Sequence, residues 1–225
     1  MTIRTKLMGS DGQVREGDEA LLELWHAGGE NRLWLDIEGE ISPAMHAELL
    51  RLGCHEVAIT DIERARQPPK LHQFEHNTFI LFRGIIQLDE HLVLTPQQIG
   101  FFVAERHLVT IHRGVSLSIN RAWEELKDGQ DRLDPGRLAL QIMDYASDRY
   151  LQRILEFEAY LGEMEESLLN KPSDSVMTEL VGYRSELRKL RRIFNYHNRL
   201  VEEILAEEPA YLGAGQSENR HLWRA

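Results

Sequence analysis

The stretch "LQIMDYASDRYL" (Leu140 to Leu151) places Asp144 and Asp148 four residues apart. On a helix, that spacing puts both side chains on one face, one turn apart. Two neighbouring carboxylates suit a hard divalent cation, which takes oxygen ligands; Mg²⁺ needs only one or two and keeps several of its waters. A solvated acidic face, with Asp148 beside Arg149, accounts for the same residues. The spacing alone leaves both readings open.

The remaining reactive residues give weaker patterns. Ten histidines raise the question of a zinc enzyme. The nearest approach to a motif is "HQFEH" (His72 to His76), but its glutamate is misplaced for H-E-x-x-H, and it follows two prolines at a strand entrance. On a strand, residues four apart stand about 13 Å from each other, too far to share a zinc ion. His107 and His112 bracket an apolar strand at odd spacing, so they face opposite sides. His197 falls on an apolar helical seam, where a polar residue more often fixes pairing than holds a ligand. Cys54 is the single cysteine, so no internal disulfide is possible, which suits a reducing compartment. No G-x-S-x-G, P-loop or G-x-G-x-x-G is present. No nucleophile, base and oxyanion set can be named, and an enzyme is not expected.

Charge points the same way. Lys plus Arg number 26 against 37 Asp plus Glu, a net of −11 over 225 residues. A negative field repels nucleic acid and anionic lipid and concentrates cations. The start, "MTIRTKLMG", lacks the apolar core of a secretory signal. No run approaches the roughly 18 apolar residues that span a bilayer. A soluble, cytoplasmic chain is expected.

The elements that must position these residues fall into two kinds. Up to about residue 135 the pattern is mixed α/β. "TIRTKLM" and "QVRE" flank Asp11-Gly12 as a hairpin. "DEALLELWHAGG" reads as a helix closed by Gly28-Gly29, and "RLWLDIE" as a strand. Ser42-Pro43 starts a helix that Gly53 ends. "NTFILFRGIIQL" reads as a long strand, and "QIGFFVAE" with "HLVTIHR" as a hairpin turning at Glu105-Arg106.

Beyond Asp134-Pro135-Gly136 the pattern is helical. Leu140, Met143, Ser147, Tyr150, Ile154, Phe157, Leu161, Met164 and Leu168 form one heptad seam. Leu180, Tyr183, Leu187, Leu190, Phe194, His197, Val201 and Ile204 form a second. "NKPSDS" separates them, so the pair predicts an antiparallel helical hairpin with arms of roughly 45 Å. Folding there sets Glu156 and Glu158 beside Arg188, predicting ion pairs between the arms. Ser217 caps what reads as the start of a further helix.

In "ITDIERARQPPKLHQF" (Ile59 to Phe74), an acid-led helical stretch carrying Asp61 meets Pro68-Pro69. The prolines are expected to end the helix and turn the chain into the next strand. Arg64, Arg66 and Lys70 are expected to pair with acidic neighbours.

Four stretches, in this order, resemble the cytoplasmic part of CorA-type divalent-cation transporters, a superfamily that includes ZntB-like zinc transporters. They are "LWLDIE"; "LGCHEVAITDIERARQPPKLHQFEHNTFILFRGI"; "ERHLVTIHRG"; and the two heptad arms. The resemblance implies an α+β fold: an α/β/α sandwich with a mixed sheet over 1–135, a long antiparallel helical hairpin over 136–208, and over 209–225 a linker with the start of a stalk helix. It implies a homo-oligomer, pentameric in the complete protein, whose membrane part with its Gly-Met-Asn pore motif would follow residue 225. The chain would lie on the cytoplasmic face of the membrane, with divalent cations as partners and no nucleic acid.

Regulatory Mg²⁺ binds between subunits in that family, and Asp61 and Asp144 match the carboxylates involved; Asp148 joins them from the spacing above. Co²⁺, Ni²⁺ or Zn²⁺ are the other candidate ions. Two departures stand out: Thr60-Asp61 where the family often has Glu-Asp, and Pro68-Pro69-Lys70 for Arg-Pro-Lys. The stalk aspartate that would face Asp61 falls at about Ala225. The alternatives are a ZntB-like zinc transporter domain and a free-standing coiled-coil adaptor.

Overall fold

The fold is that of a computed structural model, which describes residues 1–26, 29–89, 92–126, 133–170 and 174–212. Strand β1 (Thr2–Met8) turns through Gly12, at φ +77°, into β2 (Val14–Gly17) and also pairs antiparallel with β3 (Arg32–Glu38). Strands β4 (Lys70–Gln73), β5 (Thr78–Leu88), β6 (Leu94–Val103) and β7 (His107–His112) pair antiparallel in sequence order. Strand β7 then lies parallel to β3, which joins the halves into one mixed sheet of order β2-β1-β3-β7-β6-β5-β4.

Strand alternation sends apolar side chains to both faces, so the sheet needs a layer on each. Leu33, Leu35 and Ile37 meet α1 (Ala20–His26), α2 (Pro43–Arg51) and α3 (Glu56–Glu63) through Leu22, Leu49 and Ile59. On the other face, Trp34, Ile80 and Phe101 meet α4 (Leu117–Glu125), α5 (Pro135–Asn170) and α6 (Asp174–Glu207). The expected α/β/α sandwich with a mixed sheet is the observed one. Helix α4, with Ile119, Ala122 and Trp123 inward, is an additional element that the sequence reading passed over.

Helix α3 ends at Glu63, well before Pro68-Pro69, so the prolines do not terminate it. The Gln98 side chain on β6 does. Its Nε2 lies 3.2, 3.0 and 3.0 Å from the carbonyl oxygens of Asp61, Ile62 and Arg64, and its Oε1 accepts from the Gln67 N–H at 3.1 Å. These are the orphan carbonyls of a helix end, capped by one amide from the sheet beneath. Arg66 then takes the left-handed conformation at φ 63°, turning the chain toward β4. Gln98→Ala is expected to cost about 1–2 kcal/mol, since it strips the partners from several backbone groups at once. A urea midpoint shift measures it, and α3 amides should lose hydrogen-exchange protection first.

Helices α5 and α6 form the expected antiparallel pair. The Phe157 and Tyr183 rings meet edge-on at 4.8 Å, and Tyr160 donates to Glu179 across the pair at 2.9 Å. Two seam residues also dock the pair on the sheet. Tyr150 Oη donates to the Gly84 carbonyl at 3.1 Å, and His197 Nε2 reaches the Arg83 carbonyl at 2.9 Å. Two expectations fail. Leu187 is exposed, while Ile193 and Leu200 are buried between heptad positions. Glu156 pairs with Arg153 on its own helix at 2.6 Å, not with Arg188. A charge finds its partner more cheaply three residues away than across a side-chain interface. The helix expected from Ser217 lies outside the described residues.

Candidate functional site

The three candidate metal ligands divide between two places. Asp61 is on α3, whose Ile59 and Ile62 pack on one face of the sheet; Asp144 and Asp148 are on α5, which packs on the other. The sheet stands between them, so one ion within one chain cannot bind both α3 and α5.

Asp61 is buried, at 8% exposure, and its Oδ2 accepts from Lys70 Nζ at 2.9 Å. Lys70 is the first residue of β4, and the turn at Arg66 brings it back alongside α3. The lysine ammonium is thus the internal counter-charge of this carboxylate. Of the three basic residues expected to pair, Lys70 does. Arg64 and Arg66 have no carboxylate partner among the described residues.

Asp144 is half-buried and Asp148 exposed. Burial, and then the like charge of Asp148, hold the Asp144 carboxyl above its ordinary range, with Arg121 of α4 opposing them. Arg121 is itself committed: its Nε bonds Glu125 at 3.0 Å and its guanidinium lies 3.8 Å from the Tyr145 ring centre. The like charge that raises the proton affinity of Asp144 raises its affinity for a cation by the same repulsion. The donor set at this place therefore fits a hard ion held partly by water. Among the described residues, no group of three or more His, Cys, Asp or Glu side chains is placed to hold a metal within one chain.

The three buried histidines among the described residues serve the fold. His107 and His112 both lie inside β7 and point to opposite faces, as their odd spacing requires. His107 packs edge-on against Trp25 at 5.3 Å, and burial lowers its pKa to about 4. His197 is stacked 4.5 Å from Phe82 and is likewise lowered by burial to about 4. His112 differs. Burial works against its charge, but the Asp36 carboxylate 3.3 Å away outweighs burial and holds its pKa above the ordinary value.

Asp36 had no role in the sequence reading. It accepts from Arg4 Nε at 2.7 Å and from the Thr110 hydroxyl, and Arg4 continues to Asn120 of α4 at 2.7 Å. Its only sequence signal is a lone acid at an inward position of an otherwise apolar strand.

A second arrangement without a sequence signal is a cleft of about 320 Å³ where β3 and β7 end. It is lined by Arg64, Arg66, Arg83 and Arg113, with Glu40 and Glu63 among its other wall residues.

No helix among the described residues is long and apolar enough to cross a membrane. A family profile described as "CorA-like Mg2+ transporter protein" matches residues 30–222. A curated relative from Bacillus subtilis (strain 168), "Putative metal ion transporter YfjQ", is 29% identical over 154 residues, covering 68% of this chain and 47% of that protein. The chain thus spans about half the length of this relative.

Among solved structures, the soluble domain of CorA from Methanocaldococcus jannaschii aligns at a TM-score of 0.69 and 18% identity, covering 89% of this chain and 78% of the other. The ZntB cytoplasmic domain from Vibrio parahaemolyticus RIMD 2210633 aligns at 0.67 and 14%, covering 99% and 87%. At such identities these two establish the fold. All of these are transport proteins or parts of them, not enzymes, and a free-standing adaptor is not what the profile describes. Matched by the profile over most of its length, the chain belongs to the family of CorA-like Mg²⁺ transporter proteins.

Proposed function

We propose that this chain is the cytoplasmic regulatory part of a CorA-like transporter of divalent cations, and that it senses Mg²⁺ between subunits of a homo-oligomer. The observation that carries the reading is the division of the carboxylates. Asp61 and the Asp144–Asp148 pair lie on opposite faces of one sheet, and neither place holds three ligands. Each is half of a site, completed by water and by a neighbouring subunit. Incomplete sites bind weakly, which suits reversible sensing at the concentrations at which free Mg²⁺ is present. An ion bound only in the closed assembly shifts the gate by its differential affinity.

Lys70 sets the resting state. With no ion present, its ammonium neutralises Asp61; an arriving divalent cation competes with it for the same carboxylate. Because Mg²⁺ favours oxygen ligands, both places suit it better than softer ions. A ZntB-like zinc role is the second reading, and the fold shared with a ZntB cytoplasmic domain favours it.

The test uses the complete protein. At an Mg²⁺ concentration tenfold above Kd, binding adds about 1.4 kcal/mol, roughly 3 °C in Tm for a domain of this size. The Asp61→Ala, Asp144→Ala double variant is expected to lose most of that increment. Lys70→Met is expected to enlarge it, since the competing cation is gone. An Mg²⁺-dependent shift of equal size in wild type and double variant would remove both aspartates from sensing.

A further inference from the structure

The cleft at the ends of β3 and β7 has a position that sheet topology singles out. These two strands are the parallel neighbours in the sheet, and their carboxyl ends lie side by side. From β3 the chain passes to α2 and α3 on one face; from β7 it passes to α4 on the other. Where successive connections leave a sheet in opposite directions, a crevice opens outside the strand ends, and in open α/β sheets ligands bind there.

The chemistry of this crevice runs against that of the whole molecule. In a chain of net charge −11, it gathers Arg64, Arg66, Arg83 and Arg113. None of the four has a carboxylate partner among the described residues. Arg83 gives one N–H to the Gln67 carbonyl at 2.8 Å, and Arg113 gives one to the Glu63 carbonyl at 3.2 Å. Their other donors remain. Arg83 is half-buried, and burial with the like charges of Arg192 and Arg66 works against its own charge. A charge kept in such a place without a counter-ion is costly unless something else neutralises it. Glu40 and Glu63 also line the cleft, so the positive excess remains.

We infer that this cleft binds a small phosphorylated molecule, its phosphate held by the arginines. Guanidinium forks match phosphate oxygens in pairs and stay charged at any physiological pH. At about 320 Å³ the space is larger than a lone ion needs and near the lower bound of small-molecule pockets. The cleft also abuts the sensing helix, because Gln98 lines it while holding the Asp61 and Ile62 carbonyls. The inference does not rest on metal sensing; it stands on this cleft alone.

The experiment is a titration of the full chain, with a chelator present to exclude divalent cations. Ribose 5-phosphate is the probe; ribose and sodium chloride at matched ionic strength are the controls. The expected result is a saturable rise in Tm with ribose 5-phosphate and none with either control. Affinity should fall at least tenfold in Arg66→Gln, an exposed position where folding is not at risk. Binding confined to vesicles containing phosphatidylinositol phosphate, with the same loss in Arg66→Gln, would identify a lipid headgroup as the source of the phosphate. No saturable response to either probe, or equal binding by wild type and an Arg66→Gln, Arg113→Gln variant, would overturn the assignment.

Discussion

Asp36→Ala is expected to destabilise the chain by about 3–5 kcal/mol, the cost of breaking a buried ion pair by removing one partner. Asp36 is 1% exposed, accepts from Arg4 and Thr110, and lies 3.3 Å from His112 Nε2. Arg4 leads on to Asn120 of α4, and Trp34 donates to the Thr110 hydroxyl at 3.1 Å. The carboxylate thus ties β1, β3, β7 and α4 at one point. Alanine leaves the Arg4 guanidinium and the buried His112 ring without their anion. Asp36→Asn keeps the shape and loses the charge, so its cost should be smaller. Guanidinium unfolding at pH 7 gives both values. A loss below about 1 kcal/mol for the alanine variant would mean that the network adds little beyond its own desolvation.

The second large effect is on pH dependence. His107 and His197 have folded pKa values of about 4, below the ordinary value of 6.5. As pH falls through 6.5 the unfolded chain takes up protons that the folded chain refuses, so stability falls. Between pH 6.5 and 4.5 each histidine should remove about 2 kcal/mol. His112 has the opposite sign. Its raised pKa gives stability that is complete below 6.5 and is lost as pH rises through the folded value. Asp36, lowered despite its burial because His112 and Arg4 face it, keeps its contribution until pH falls below the ordinary carboxylate range. Stability should therefore be greatest near neutrality and fall steeply on the acid side. His197→Gln, which can still donate to the Arg83 carbonyl, should lose about half of that acid slope; His107→Gln should lose the other half. An acid slope unchanged in both variants would mean that the two rings protonate in the folded state.

Much of this fold was legible because its signals are local. Strand alternation in "RLWLDIE", the long apolar run from Asn77, and two heptad seams each depend on neighbours within a few turns. The α4 helix was missed although Ile119, Ala122, Trp123 and Leu126 have helical spacing and Ser116 stands at its N-cap. The end of α3 was misread. Its stop is a glutamine distant in sequence, and the nearby prolines, the stronger local signal, do something else.

The candidate site divides in the same way. Asp144 and Asp148 were visible as a pair, because a helix turn fixes them. The pairing of Asp61 with Lys70 was anticipated only as a general tendency. The arginine cleft was invisible: Arg64 and Arg66 come together with Arg83 and Arg113 through the packing of the end of α3 on the β5–β6–β7 meander, and no pattern along the chain records that.

One element has a mechanical consequence. Helix α5 runs unbroken over 36 residues. Its first turns are buried in the sheet layer, and Tyr150 and His197 pin the pair to β5; beyond Phe157 its partners among the described residues are mainly those of α6. At 1.5 Å per residue, the part beyond Tyr150 is a rigid arm of roughly 30 Å pivoting on those two bonds. A tilt of about 5° at the pivot carries the tip through roughly 2.5 Å over such a length. Asp144 lies close to that pivot, on the sheet side. Asp144 thus lies on the short side of that lever, and Asn170 ends its long side.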